Sequence, residues 1–208
     1  MKIAMFGGTF DPVHAGHIAL IRYILAEGIT DRVLLVPAPE PPHKTDRCIS
    51  PYAVRREMLA AAADGIAGTE ISDIECERTG RSYSIDTLRE LARRYPGDDI
   101  LLLIGGDSLA TLHLWFKAKE IVAEFSVLTY PRAGSRIDRN ALLEHWSPSE
   151  CEKLSAGILN DAPPFPVSSS GIREMLAKGQ ALPDGAVPPA VMEIIQKQKY
   201  YINTETNS

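Results

Sequence analysis

Two histidines three positions apart, His14 and His17, follow the triplet Gly7-Gly8-Thr9 within the segment GGTFDPVHAGH. These residue types handle phosphate. Glycines let backbone amides come close to a ligand, threonine adds a hydroxyl, and imidazoles donate hydrogen bonds to anionic oxygens without permanent charge. If a helix starts near Ala15, both rings come off its first turn and can address one ligand. The positive end of that helix points at the same place and opposes protonation of the rings until an anion arrives. The segment is neither G-x-G-x-x-G nor G-x-x-x-x-G-K-[ST], so it is not a dinucleotide fingerprint or a P-loop. A plain capping turn with two surface histidines would use the same residues. Metal ligation by the pair lacks a third ligand at a telling spacing.

A second anion-handling cluster lies near the other end, in VSSSGIREML, residues 167–176. Ser169 or Ser170 can cap a helix whose apolar face is Ile172, Met175 and Leu176. Arg173, read as part of its first turn, is disfavoured there by roughly 0.3–1 kcal/mol, which calls for a bound anion or for Glu174 nearby. Serine hydroxyls, free amides and one guanidinium together make a polyphosphate clamp. Between the two clusters, Asp107 follows Gly105-Gly106 at the end of an apolar run. It suits either a ribose hydroxyl or the N-cap of a helix over Ser108–Leu112.

The elements that must position these residues alternate. Lys2–Phe6, Arg32–Pro37, Glu70–Ile74, Ile100–Ile104 and Ser126–Thr129 read as strands, with ILLLI apolar enough to be buried on both faces. Ile18–Leu25, Tyr52–Ala63 and Ser84–Tyr95 read as helices, and Gly171–Lys178 and Pro189–Lys199 as two more near the C-terminus. The proline-rich APEPPHKTDRCISP reads as a stiff surface loop, Phe165–Val167 as a short strand, and Ser135–Leu159 fits no single element. The alternation predicts an α/β fold: a Rossmann-like, doubly wound parallel sheet with helices on both faces and a small C-terminal helical part. In such a sheet ligands gather at the carboxyl ends of the strands, which is where Gly7–His17 falls.

The 208 residues, 45% of them hydrophobic, can build one sizeable core, so a single domain over 1–208 is expected, with 203–208 a disordered tail. A net charge of −5 argues against a nonspecific nucleic-acid binder, and any anion site must be local. Cys48, Cys76 and Cys151 are odd in number and lack metal-ligand spacing, which fits a reducing cytoplasm. No leader or membrane span is expected, since no run approaches the ~18 apolar residues a span needs. Oligomeric state is not encoded legibly, and a homo-oligomer stays open.

GGTFDPVHAGH together with SSSGIRE resembles the nucleotidyltransferase superfamily, whose hallmarks are an H-x-G-H motif after the first strand and an [ST]-x-x-R-type motif late in the chain. Within it, VPAPEPPHK, RTGRSYSIDTL and IGGDSLATLHLW resemble the bacterial nicotinate-nucleotide adenylyltransferases, in the family's order and over essentially the whole chain. The resemblance implies transfer of AMP from ATP to nicotinate mononucleotide, giving nicotinate adenine dinucleotide and pyrophosphate. It implies catalytic roles for His14, His17 and Arg173, and ATP contacts from Gly7, Gly8, Phe10, Gly106, Asp107, Ser169 and Ser170. Thr9 and Lys44 would meet the mononucleotide phosphate and the entrance loop; Thr87 and Trp115 would meet the nicotinate ring. Mg2+ would ride on the ATP phosphates rather than in a protein cage. One departure is Phe116, where many relatives carry tyrosine, so selection of the acid over the amide would rest on Thr87 and backbone amides. The alternatives are an enzyme preferring nicotinamide mononucleotide or, more remotely, phosphopantetheine, and a noncatalytic ATP-binding sensor.

Overall fold

The computed structural model describes residues 1–39, 49–78, 80–131, 139–163 and 166–202. In chain order the elements are β1 (Lys2–Gly8), α1 (Ala15–Ala26), β2 (Arg32–Pro37), α2 (Tyr52–Ala63), β3 (Thr69–Ile71), α3 (Ser84–Arg94), β4 (Asp99–Gly105) and α4 (Gly106–Thr111). After a 3-10 turn at Leu112–Leu114 come α5 (Ala118–Glu124), β5 (Ser126–Tyr130), α6 (Arg139–Leu143), α7 (Pro148–Ala156), α8 (Ser169–Ala177) and α9 (Pro189–Gln198). The five strands are parallel in the order β3-β2-β1-β4-β5. The chain therefore winds outward from β1 to β3, then returns to lay β4 against the other side of β1. The crevice where the winding reverses lies between β1 and β4, beside Gly7 and Gly105.

Alternation along the strands divides the interior in two, because successive side chains leave opposite faces of the sheet. Ile3, Met5, Leu34 and Leu102 pack beneath α3, α5, α6 and α7, which contribute Leu88, Ile121, Leu142 and Leu154. Ala4, Phe6, Val33, Leu35 and Leu103 pack beneath α1, α2, α8 and α9, which contribute Ile21, Met58, Ile172 and Ile195. The sheet is thus covered on both faces, as a parallel sheet with near-continuous apolar strands requires. The C-terminal helices lie in the second of these cores and not apart from it.

Some elements differ from the reading of the sequence. β3 stops at Ile71, because after Ser72 N–H donates to Leu35 O (2.9 Å) the chain turns and sends Ile74 into the α3 core. The ambiguous 135–159 stretch holds α6 and α7, the latter opened by a reciprocal Ser147–Glu150 capping box. The short α5 carries too few turns for its periodicity to stand out. Pro166 and Val167 lie in no strand, and Phe165, Lys44 and the 203–208 tail fall outside the described residues. Among the described residues no helix is long and apolar enough to cross a membrane.

The loops at the carboxyl end of the sheet converge on one side chain of α2. Arg55 is 1% exposed. Its Nε donates to Ser50 O (2.9 Å), Nη1 to Thr9 O (2.7 Å), and Nη2 to Ala38 O (2.8 Å) and Pro39 O (3.1 Å). Burial pushes its pKa down, and the negative charge of Asp11 opposes that shift. Four carbonyls from the β1–α1 connection and from the two described ends of the β2–α2 connection are thereby tied to one rigid fork. Arg55→Met would keep the stem's volume and strip these carbonyls of their donors. Denaturant unfolding is expected to show a loss of about 3 kcal/mol, and a loss below about 0.5 kcal/mol would contradict the tie.

Candidate functional site

α1 begins at Ala15, and the two histidines cap it reciprocally. Gly16 N–H donates to His14 Nδ1 (3.2 Å), and His14 N–H donates to His17 Nδ1 (3.1 Å). Their rings lie 3.8 Å apart between centroids, with His14 buried and His17 half-buried. A nitrogen that accepts from an N–H carries no proton of its own. The network therefore assigns the Nε2–H tautomer to both neutral rings. Each ring is an oriented donor at Nε2, His14 as the N-cap and His17 in the first turn of a helix that has no acidic residue there.

The preceding loop owes its shape to Phe10. This residue holds a positive φ of 49°, and its ring lies against Phe6 (5.5 Å, edge-on) and His17 (5.1 Å). A Cβ on Gly8 would come within 3.1 Å of that ring, so Gly8 has a packing reason for its identity as well as an amide to offer. Gly7 is exposed, with open space where a Cβ would stand.

The second cluster is fastened to the first. Ser168, and not Ser169 or Ser170, is the N-cap of α8: its Oγ accepts from Gly171 N–H (3.1 Å). That leaves Ser169 Oγ to donate to Pro12 O (2.9 Å). Arg173 lies in the second turn of α8, where its Nη1 donates to Asp11 O (2.5 Å) and its Nη2 to Ser170 Oγ (3.2 Å). The dipole penalty inferred for a first-turn cation thus does not arise, and carbonyl and hydroxyl oxygens partly satisfy the guanidinium. Two consecutive carbonyls of the Asp11-Pro12 turn lock α8 beside α1.

Around this junction is a cavity of about 320 Å3. Gly7, Gly8, Thr9, Phe10 and His17 line one side, and Ser169, Ser170 and Arg173 another. Asp107 and Trp115 enter from the β4 side. Asp107 is the second residue of α4 and exposed; the N-cap is Gly105, where a Cβ would stand 2.5 Å from Asp107 Oδ1 and 3.3 Å from the Tyr130 ring. Tyr130, Asp11, Ser108 and Ser168 also line the cavity, and sequence reasoning did not single them out. The strand end before a proline was the one signal for Tyr130.

Some expected residues are elsewhere. His14 and Gly106 are buried behind the wall. Thr87 is fully buried in α3: its Oγ1 faces Glu75 Oε1 (2.9 Å) and Tyr83 O (3.3 Å), and Arg78 donates to it. Burial pushes the Glu75 carboxyl up, against the hydrogen bond from Thr87 and the charge of Arg78. Phe116 is exposed and packs against Tyr83 with the rings tilted and their centroids 4.4 Å apart. Among the described residues no group of three His, Cys, Asp or Glu side chains could hold a metal ion.

Comparison with known proteins agrees with this architecture. Residues 5–175 match the model of the cytidylyltransferase-like family. A protein of Solibacter usitatus described as a probable nicotinate-nucleotide adenylyltransferase is 38% identical over 202 residues, covering 97% of this chain and all of the relative. One of Shewanella sp. strain MR-7, described in the same words, is 34% identical and covers 98% of this chain and all of the relative. The nicotinic acid mononucleotide adenylyltransferase of Plasmodium falciparum, solved with NaAD, superposes with a TM-score of 0.77 at 18% identity over 96% of this chain and 97% of its own, a likeness of fold. The chain belongs to the cytidylyltransferase-like family and, within it, to the nicotinate-nucleotide adenylyltransferases.

Proposed function

We propose that this protein transfers AMP from ATP to nicotinate mononucleotide, releasing pyrophosphate and forming nicotinate adenine dinucleotide for NAD biosynthesis in the cytoplasm. The observation that carries the reading is the junction itself: two anion-handling clusters some 160 residues apart in the chain share one cavity at the switch point of the sheet. Curated relatives above 30% identity over nearly the full chain support the choice of acceptor.

An oxygen of the mononucleotide phosphate attacks the α-phosphorus of ATP in line, and the bond to the bridging oxygen of the β-phosphate breaks. No enzyme nucleophile is needed, so the catalysis is positioning and charge stabilisation. His17, a donor at Nε2, steadies the charge growing on the α-phosphate and bridging oxygen. His14 holds His17 in register and supplies the second imidazole of the pair. Ser169, Ser170 and Arg173 hold the β- and γ-phosphates and then the leaving pyrophosphate. Gly7, Gly8 and Phe10 shape the loop under the nucleotide, while Gly106 and Asp107 receive the ribose. Mg2+ would be carried on the triphosphate as part of the substrate, where it would offset part of the phosphate charge. Thr9 and Lys44 address the mononucleotide phosphate, and Trp115 stacks on the pyridine ring.

The acid rather than the amide is favoured by the segment around Thr87. Arg78 Nε and Ser82 Oγ are buried there without a hydrogen-bond partner, a cation and a hydroxyl suited to a carboxylate. Phe116 in place of tyrosine and the prior engagement of the Thr87 hydroxyl favour the second reading, use of nicotinamide mononucleotide.

Pyrophosphate release with MgATP, measured in parallel on nicotinate mononucleotide, nicotinamide mononucleotide and phosphopantetheine, tests the choice. A kcat/KM at least about tenfold higher for the nicotinate substrate is expected. Preference for another acceptor would overturn the substrate, and ATP binding without turnover would support the sensor. His17→Ala is expected to lower kcat ~10²-fold, the scale for one charge-stabilising donor, with about 1 kcal/mol of cap stability lost and the fold retained by circular dichroism. Normal turnover in that variant would remove His17 from the mechanism.

A further inference from the structure

The chain beyond α9 returns to the phosphate loop. Lys199 and Tyr201 hold positive φ values of 57° and 62°, a backbone region that costs a non-glycine residue roughly 1 kcal/mol or more. Two such residues within three positions turn the chain sharply and lay the Tyr201 ring against the core shared by α1, α2, α8 and α9. The Tyr201 hydroxyl donates to Asp11 Oδ1 and accepts from Ser50 Oγ (2.9 Å). Asp11 is 2% exposed, so its carboxylate needs a donor. Burial, reinforced by the Asp11 carboxylate, pushes the Tyr201 phenol well above its ordinary value, which keeps that donor protonated.

Asp11 is also where the two phosphate clusters meet. Its carbonyl receives Arg173 Nη1, and the next carbonyl, of Pro12, receives Ser169 Oγ. Ser50, the other partner of Tyr201, gives its carbonyl to Arg55, which also holds Thr9. One phenol therefore bridges the turn that aims Arg173 and the loop end that Arg55 anchors.

We propose that Tyr201 is a positioning residue for the adenylyl transfer, setting Arg173 and Ser169 on the triphosphate through the Asp11-Pro12 turn; this rests on the proposed use of that cavity for ATP. Tyr201 does not line the cavity and acts through Asp11, which does. Its hydroxyl, more than the bulk of its ring, carries the effect.

Tyr201→Phe in the full chain removes only that hydroxyl. At a temperature where circular dichroism shows the variant fully folded, kcat/KM for MgATP is expected to fall about tenfold, with KM for the mononucleotide changed less than about twofold. MgATP affinity by calorimetry, expected about tenfold weaker, makes the same comparison without turnover. Asp11→Asn supplies the second variant: in its background Tyr201→Phe is expected to add less than about twofold, because both act through one contact. Wild-type values for Tyr201→Phe, or a full additive loss in the double variant, would overturn the role. Wild-type protein in the same assay separates the two failures. Absence of pyrophosphate release with nicotinate mononucleotide counts against the functional reading, whereas normal wild-type turnover that Tyr201→Phe leaves unchanged counts against Tyr201 alone.

Discussion

Thr9, Ala38, Pro39 and Ser50 present their carbonyl oxygens to one buried guanidinium, that of Arg55, and the shape of the cavity depends on that convergence. Loops at the carboxyl edge of a parallel sheet have no strand partners for these carbonyls, which must find donors elsewhere. A planar fork with five donors satisfies four of them at fixed angles, which a lysine could not do. With Thr9 held, the glycine pair before it and the histidine pair after it have one course between β1 and α1.

From that anchor the electrostatics follow. Two helices, α1 and α8, present N-terminal first turns without acidic residues near the same cavity, so their partial positive charges add where a triphosphate would lie. The histidines contribute direction more than charge: backbone N–H groups occupy both Nδ1 atoms and leave Nε2–H as the donor. The protein, acidic overall at −5, thus concentrates donors locally instead of spreading basic residues over a face. Such an arrangement needs no reorganisation as charge develops, which is where preorganised donors gain their advantage over water.

How far this was legible depends on how local each interaction is. The GGTFDPVHAGH loop and its helix start at Ala15 could be read directly, because phosphate handling and N-capping use neighbours in sequence. The parallel sheet and the covering of both its faces followed from alternation, whereas the order β3-β2-β1-β4-β5 is set by contacts between strands distant in sequence. Arg55 was invisible: beside Val54, Met58 and Leu59 it reads as a solvated residue at the margin of an apolar face, and three of the four carbonyls that hold it lie 16 to 46 positions away. Asp11 and Tyr201 were hidden for the same reason, being joined across 190 positions. Within SSS the capping serine could not be chosen from sequence, and moving the cap to Ser168 also moves Arg173 out of the first turn. Thr87 was placed by resemblance, and the structure adds the half-buried Glu75 and Arg78 partners that no spacing rule reveals.

The most direct measurement of the central claim is the tautomeric state of the two histidines by nitrogen-15 NMR of the imidazole rings, without ligand and during titration with MgATP. The account predicts neutral Nε2–H rings for both His14 and His17, with the Nε2 resonances moving as ATP binds. An Nδ1–H tautomer at His17, or ring resonances unchanged when the site is saturated with MgATP, would contradict it.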